Sequence, residues 1–342
     1  MRRAGQLFDA ILDRENLQWA FWKASHGKPA SRAVRAFAAD LDGNLFRLAC
    51  GLQDGTLELG RFDQSVIYDP KQRIITAPWF EERVLHHAIM NVCQPVLESW
   101  LIRDTYACLP GRGREAAITR ARGFSAGQGF FLKTDIRKYF DSVSHDVLLA
   151  RLERLFKDRR LLVLLERIVR SFRGNLGRGL PIGSLMSQHF ANFYLGWFDR
   201  FVKETLRVRG YVRYMDDTLL WGSSAASLRE TLDQCRTYID DALCLTFKPE
   251  PYINRTCHGV DFLGCRVFPS HVVLNRRSRR RFTGKLRALE TSYLDGQIGE
   301  DELQARSTSL VAFTMAAGAR SWHFRRAVLE QMPVSGRRPR AG

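Results

Sequence analysis

The sequence predicts an α+β protein, in which helical segments flank a strand-containing middle. In residues 1–60, apolar side chains recur every three or four positions, which is typical of amphipathic helices. The middle contains short apolar runs bounded by turn residues, which indicate strands. The last seventy residues are again helical in pattern and strongly basic. A chain of 342 residues is long enough for about two domains with a sizeable core.

The N-terminal third is predicted to contain helices and one hairpin. A Gly-Lys-Pro break at residues 27–29 separates two helices. Residues 65–78 form two β-like runs joined by Asp69-Pro70-Lys71-Gln72, which predicts a hairpin with a basic tip. The period of residues 81–100 is helical again.

The middle of the chain is predicted to contain strands around one long helix. Residues 129–136 form a short apolar strand that ends at Asp135. Residues 187–206 predict a strongly amphipathic helix. Two further hairpins are expected, one within residues 211–222 and one within residues 259–268.

The charge of the chain points to a polyanionic partner. Lys and Arg number 53 against 36 Asp and Glu, which leaves a net charge of +17, and only nine of the basic residues are Lys. The planar fork of arginine suits phosphate contacts, so nucleic acid is the favoured partner. A codon bias towards Arg is the alternative, but it explains the Arg to Lys ratio and not the net excess.

The sequence indicates a soluble, cytoplasmic protein that binds no membrane. Its apolar runs, such as residues 161–165, are far shorter than the roughly 20 residues of a spanning helix. No secretion signal is recognisable at the N-terminus. The seven cysteines are scattered without a C-x-x-C pair, so we expect free thiols in a reducing compartment.

The candidate chemistry centres on Tyr214-Met215-Asp216-Asp217. Adjacent carboxylates at a hairpin turn repel each other, and a pair of divalent cations removes that cost. Two such ions, about 4 Å apart, suit an in-line displacement at phosphorus. The alternative is a simple Asp-Asp turn. Asp135 would face the same metals if its strand lies beside this hairpin, although it could instead be only a helix cap.

A small-residue loop at residues 179–188 precedes the long helix. Such a loop lets a nucleotide and a template base approach the backbone closely. The alternative is an ordinary Pro/Gly loop with Ser187 as a helix cap.

Four motifs together resemble the palm motifs of reverse transcriptases, in the same order. They are Asp135-Ile136-x-x-Tyr139-Phe140, Gly179–Gln188, Tyr214–Asp217 and Gly259–Gly264. The resemblance extends over nearly the whole chain. Its Ile182-Gly183-x-x-x-Ser187-Gln188 form resembles the enzymes of diversity-generating retroelements and some phage-defence relatives, whereas group II intron and retroviral enzymes usually have Gln-Gly.

The resemblance implies a right-hand polymerase with fingers, palm and helical thumb. The segments that it implies are an N-terminal helical segment at 1–60, fingers at 61–128 and 147–178, palm at 129–146 and 179–268, and a thumb with a basic tail at 269–342.

The resemblance also implies the roles of individual residues. Asp135, Asp216 and Asp217 would be catalytic and, with Ile136, would hold two Mg²⁺ ions, or Mn²⁺ in their place. Phe140 would exclude the ribose 2′-OH, unless it is only a core aromatic. The implied nucleotide-binding residues are Lys71, Arg73, Lys138, Tyr139, Phe140, Ile182 and Gly183. Lys248 would be a general acid for pyrophosphate.

A run of arginines opens the C-terminal helical part. Such a run is usually a solvated face, but in a polymerase it would grip the template–primer duplex through phosphates. The run consists of Arg276, Arg277, Arg279, Arg280 and Arg281.

We expect an RNA-directed DNA polymerase that uses an RNA template, a DNA or RNA primer and dNTPs. The resemblance favours a diversity-generating retroelement, with its retroelement RNA, a small basic accessory protein and poor fidelity opposite template adenine near Ile182. A phage-defence reverse transcriptase is the alternative in the same chemical class. A silent RNA-binding scaffold predicts loss of a metal carboxylate, whereas all three are intact. Phe140 argues against an RNA-dependent RNA polymerase.

Overall fold

A computed structural model describes residues 3–28, 30–68, 72–172, 177–332 and 334 and confirms the α+β class. The helices of these residues are α1 (Phe8–Leu12), α2 (Arg14–Ser25), α3 (Arg32–Ala38), α4 (Leu41–Gln53), α5 (Phe80–Trp100), α6 (Arg114–Gly127), α7 (Tyr139–Ser142), α8 (His145–Leu152), α9 (Arg159–Ser171), α10 (Leu185–Arg200), α11 (Ala225–Leu243), α12 (Arg276–Leu294), α13 (Glu300–Met315) and α14 (Ala319–Leu329). The strands are β1 (Phe62–Tyr68), β2 (Gln72–Pro78), β3 (Phe130–Thr134), β4 (Gly210–Tyr214), β5 (Asp217–Gly222), β6 (Tyr252–Arg255), β7 (Val260–Phe262), β8 (Cys265–Val267) and β9 (Val272–Leu274).

The hairpin predicted near residues 65–78 is confirmed in its two strands. β1 and β2 pair antiparallel from Phe62 opposite Pro78 to Tyr68 opposite Gln72. The tip at residues 69–71, and with it Lys71, lies outside the described residues. We call β1 and β2 the fingers hairpin.

The central sheet has four antiparallel strands in the order β4-β5-β3-β6. The β4-β5 hairpin is the one predicted within residues 211–222, and the strand ending before Asp135 is β3. β3 and β5 pair so that Thr134 lies opposite Thr218. The end of β3 therefore meets the start of β5, which brings Asp135 next to the turn between β4 and β5.

The second predicted hairpin, within residues 259–268, is also confirmed as β7 and β8. It belongs to a three-stranded sheet, because β9 pairs with β8. The sequence did not predict β9 or β6. β7 and β8 are equally short, but they form the two halves of a hairpin pattern around Leu263-Gly264, whereas β6 and β9 lie outside that pattern.

The helix expected at residues 187–206 is confirmed, but the expectation that it is amphipathic is wrong. α10 ends at Arg200 and continues into a π-helical turn, Phe201–Thr205. Nearly every side chain from Met186 to Asp199 is buried, because α5, α8 and α11 pack around this helix. A helix that is surrounded in this way has no solvated polar face, and its polar side chains such as Asn192 and Asp199 are buried and hydrogen-bonded.

Two hydrophobic clusters support the central sheet. The larger one joins the N-terminal helices to α5, α8, α9, α10 and α11 and reaches one face of the sheet through Leu132 and Leu220. The other packs α6 and the three-stranded sheet against the opposite face, where Phe131 and Leu219 are buried. The sheet is thus covered on both faces, so its strand ends are fixed. Within the described residues, none of the helices has the length and apolarity needed to cross a bilayer.

Candidate active site

Three carboxylates meet at one end of the central sheet, where β3 stops and β5 begins. Asp135 follows β3, and Asp216 and Asp217 occupy the turn into β5. Burial, together with the charge of Asp135, raises the pKa of Asp216 to about 6. The strand that ends before Asp135 lies beside the hairpin, which was the condition for Asp135 to face the same metals. We call Asp135, Asp216 and Asp217 the acidic triad, and Tyr214–Asp217 the acidic turn.

Two lysines hold members of the acidic triad. Lys133 Nζ lies 3.1 Å from Asp217 Oδ1 and donates to the backbone oxygen of Asp261 at 2.8 Å. Lys248 Nζ forms an ion pair with Asp135 Oδ2. Burial raises the pKa of Asp217, while the charge of Lys133 acts in the opposite direction. Each ammonium group therefore lowers the repulsion that the triad would otherwise have.

Lys248 was predicted from the sequence as a site residue, whereas Lys133 was not. Lys133 lies two positions before Asp135, so the two-residue period of a strand places both side chains towards the same side of the sheet. That spacing was the available signal. Lys248 lies at the triad because its segment pairs with the one that carries Asp135: the Lys248 amide donates to the Asp135 carbonyl at 2.8 Å.

The triad has the donor chemistry of a divalent-cation site. Asp135 Oδ1 is buried and has no hydrogen-bond partner among the described residues. Among the residues that the structure describes, no three His, Cys, Asp or Glu side chains form a ready metal-binding group. The lysines hold Asp135 and Asp217 instead. Carboxylate oxygens suit Mg²⁺, so the donors fit. Ile136 is buried and apolar, so only its backbone could contribute an oxygen.

The residues that follow the first carboxylate lie in different environments. Lys138 is exposed and has a left-handed backbone, with φ of 45°, immediately before α7. The Tyr139 side chain is buried, and its hydroxyl donates to the backbone oxygen of Ala191. Phe140 is half-buried and packs edge-on against Tyr139, with ring centroids 5.8 Å apart. Phe140 is therefore the aromatic of this pair that solvent reaches, whereas Tyr139 belongs to the core.

The small-residue loop contacts the fingers hairpin directly. The amide of Thr76 on β2 donates to the Ile182 oxygen at 2.7 Å. Gly183 has a φ of 121°, and a Cβ there would lie 2.7 Å from Ile75 Cγ2. Arg73, three residues along the same strand from Thr76, is exposed. Ile182 and Gly183 therefore contact β2, the strand that also carries Arg73.

The arginine run forms the first turns of α12, far along the chain from the triad. Arg276, Arg277 and Arg280 are exposed. Arg279 is also exposed, but its Nε donates to the Leu274 oxygen at 3.1 Å and its guanidinium lies 5.6 Å from the Phe324 ring centroid. Arg281 occupies the next exposed position. The run therefore lies on the surface, and Arg279 within it also attaches α12 to the rest of the protein.

An antiparallel sheet that is covered on both faces and carries an acidic turn, together with a two-stranded hairpin that contacts the small-residue loop, is the architecture of a right-hand nucleic-acid polymerase. Residues 68–267 match the family described as "Reverse transcriptase (RNA-dependent DNA polymerase)". The chain belongs to this family of RNA-directed DNA polymerases.

Two curated relatives and one solved structure illustrate the similarity. Protein YkfC of Escherichia coli is 24% identical over an alignment of 277 positions, and the match covers 66% of this chain and 69% of that protein. Nuclear intron maturase 1, mitochondrial, of Arabidopsis thaliana is 32% identical over 97 residues, which cover 28% of this chain but only 14% of the maturase. Apo telomerase from Candida tropicalis has a TM-score of 0.49 at 11% identity and covers 80% of this chain and 62% of the telomerase.

Proposed function

We propose that this protein copies RNA into DNA by nucleotidyl transfer at the acidic triad. The observation that carries the proposal is that Asp135 lies beside Asp216 and Asp217 at one end of the sheet. Burial and mutual repulsion there raise the pKa of Asp216 to about 6. Buried carboxylates that repel one another favour cation binding, because a bound cation removes the cost of ionising them together.

Asp135, Asp216 and Asp217 would hold two Mg²⁺ ions, or Mn²⁺ in their place. When bound, these ions supply charge neutralisation at the attacking and leaving oxygens. Lys248, whose ammonium group lies at Asp135, would donate a proton to the departing pyrophosphate. Phe140 would occupy the space that a ribose 2′-OH needs, because it is the solvent-accessible ring beside the buried Tyr139.

The fingers hairpin and the adjoining loop would bind the incoming nucleotide. Arg73 supplies a guanidinium for the triphosphate, as Lys71 would at the hairpin tip. Lys138 and the backbone of Tyr139 lie directly after the β3 carboxylate and would contact the same phosphates. Ile182 and Gly183 would contact the templating base pair, since they pack against the hairpin.

The proposed division keeps an N-terminal helical segment at 1–60, fingers at 61–128 and 147–178, palm at 129–146 and 179–268, and thumb at 269–342. Arg276, Arg277 and Arg280 on the exposed side of α12 would bind duplex phosphates. Arg281 would add to this surface, while Arg279 chiefly anchors the helix.

We further propose a diversity-generating retroelement as the biological context. Ile182 carries this proposal, because an apolar residue at this position resembles enzymes with poor fidelity opposite template adenine. The partners would be a retroelement RNA template, a DNA or RNA primer and a small basic accessory protein. A phage-defence role is the alternative, and the intact Ile182-Gly183 motif is compatible with both.

The experiment is primer extension on a defined RNA template with Mg²⁺ and all four dNTPs, compared with Asp216→Asn. Wild type should extend the primer, while Asp216→Asn should lose extension by at least about 1,000-fold and still bind the template–primer duplex. Asp240→Asn is the matched control, because Asp240 is an exposed carboxylate on α11. Extension by Asp216→Asn at the wild-type rate would refute the metal role. Duplex binding without any wild-type product, with Mn²⁺ also tested, would indicate the silent scaffold.

Sequencing the cDNA tests the biological context. Misincorporation concentrated opposite template adenine supports the retroelement role, and Ile182→Gln should then reduce it. Uniformly accurate cDNA from wild type favours the phage-defence role.

A further inference from the structure

One arginine of the central sheet is entirely enclosed by protein. Arg213 lies on β4, one residue before the acidic turn, and its side chain has 0% exposure. It forms an ion pair with Asp199 of α10, which is equally buried. A buried charge of this kind is tolerated only when it is paired and its remaining donors find acceptors.

All five N–H donors of Arg213 have acceptors. Nε and one Nη2 donor bind the two carboxylate oxygens of Asp199, both at 2.6 Å. Asn192 accepts two more, at its side-chain oxygen (2.9 Å from Nη1) and at its backbone oxygen (3.0 Å from Nη2). The fifth donor binds the backbone oxygen of Met215 at 2.9 Å.

The partners of Arg213 are themselves fixed. Asp199 also accepts hydrogen bonds from Thr105 Oγ1 at 2.7 Å and Tyr211 hydroxyl at 2.5 Å, so its four acceptor positions are used. Asn192 donates from Nδ2 to the Ala107 oxygen at 2.8 Å. The guanidinium therefore cannot rotate without breaking several buried hydrogen bonds.

The contact with Met215 lies where the turn is strained. Met215 has a φ of 54°, in the left-handed region that an L-residue other than Gly, Asn or Asp seldom adopts. A fixed donor on its carbonyl opposes rotation of the next peptide, which carries Asp216. This is the only point at which the buried network touches the acidic turn among the described residues.

We propose that Arg213 is a positioning residue for Asp216, which acts by holding Met215 in its left-handed conformation. The inference rests on the proposed role of Asp216 as a metal ligand. Arginine is required because it offers five donors in a planar fork, whereas lysine offers three from one atom and cannot reach Asp199, Asn192 and Met215 together.

The first test is Arg213→Lys, measured by primer extension and by binding of Mn²⁺, whose free concentration is read from its electron paramagnetic resonance signal. We expect kcat to fall by about 100-fold and the Mn²⁺ dissociation constant to rise by about tenfold. Affinity for the template–primer duplex should stay within about twofold, because no part of the network is exposed to it. Tyr211→Phe is the control, since it removes one hydrogen bond to Asp199 and none from Arg213.

The second test is rescue by Met215→Gly. Glycine adopts positive φ without strain, so it needs less external support than methionine. The double variant Arg213→Lys, Met215→Gly should recover about tenfold in kcat over Arg213→Lys. A purely structural role for Arg213 predicts no such recovery.

Circular dichroism and thermal melting report whether each variant folds. If Arg213→Lys does not fold, Asn192→Ala replaces it, because it removes one acceptor of the same Nη1 and leaves the Asp199 pair. Its kcat should then fall by about tenfold. A folded Arg213→Lys, or in its place Asn192→Ala, with wild-type kcat and Mn²⁺ binding overturns the inference. An inactive wild type would instead count against the proposed function, so the two failures are distinguishable.

Discussion

Replacing Gly183 by alanine should both destabilise the protein and weaken nucleotide binding. Gly183 has a φ of 121°, which lies beyond the left-handed helical region and is strained for any residue with a Cβ. A Cβ at this position would lie 2.7 Å from Ile75 Cγ2 and 3.2 Å from the Thr76 oxygen. Both contacts are on β2, so the substitution pushes against the fingers hairpin.

The size of the effect follows from these two terms. Strained backbone at a non-glycine residue costs about 1–3 kcal/mol. Carbon atoms prefer separations of about 3.5–4.0 Å, so the 2.7 Å contact requires a shift of roughly 1 Å or an overpacking cost of about 1–3 kcal/mol. If the hairpin moves away instead, the buried Thr76 amide loses its bond to Ile182, at a cost of about 1–3 kcal/mol. Either route lowers the free energy of unfolding by about 2–6 kcal/mol.

Urea denaturation followed by circular dichroism measures the first effect, and dNTP titration in primer extension measures the second. We expect the KM for dNTP to rise by about tenfold, because the displaced hairpin carries Arg73. Gly55→Ala is the matched control. Its φ is 71° and the nearest atom to a new Cβ is 4.0 Å away, so it should show only the strain of about 1–2 kcal/mol.

Two results would contradict this reasoning. Stability of Gly183→Ala within about 0.5 kcal/mol of wild type would mean that neither the strain nor the contact is present. A loss of stability with an unchanged KM would mean that the loop and the hairpin do not form part of the nucleotide site.

Three further predictions concern the acidic triad and its surroundings. Phe140→Ala should raise ribonucleotide incorporation by at least about tenfold. An unchanged ratio of rNTP to dNTP use would mean that Phe140 does not exclude the ribose 2′-OH. Lys133→Met should raise the pKa of Asp217 further, because the ammonium opposes the effect of burial. As the pH is lowered, the variant should therefore lose activity at a higher pH than wild type does, and an identical pH–rate profile would argue against this. Arg114 binds the Leu263 oxygen at 2.8 Å and the Phe313 oxygen at 2.7 Å, which ties the three-stranded sheet to α13. Arg114→Ala should therefore shorten the products made in a single binding event with a heparin trap, and equal product lengths would refute this connection.

The elements with long or repeated patterns could be predicted from the sequence. The fingers hairpin and the β4-β5 hairpin each have two apolar runs around a polar turn, which is a local signal. The π-helical end of α10 and the short strands β6 and β9 lacked such a signal, because none of them is half of a pattern of two apolar runs around a turn. Whether α10 is exposed on one side depends on α5, α8 and α11, which are distant in sequence.

The acidic triad was recognisable because its members combine an unusual local composition with a strand end and a turn. The cations that hold it were harder to predict. By strand alternation alone, Arg213 on β4 could face either solvent or core, and arginine ordinarily favours solvent. Its burial follows from Asp199 and Asn192, which approach β4 only after α10 has packed against the sheet. A charged side chain can be buried at a functional site when distant residues satisfy it completely, and local sequence patterns contain no information about that condition. The carboxylates of this site can therefore be found by reading along the chain, whereas the buried position of Arg213 beside them becomes apparent only in the folded structure.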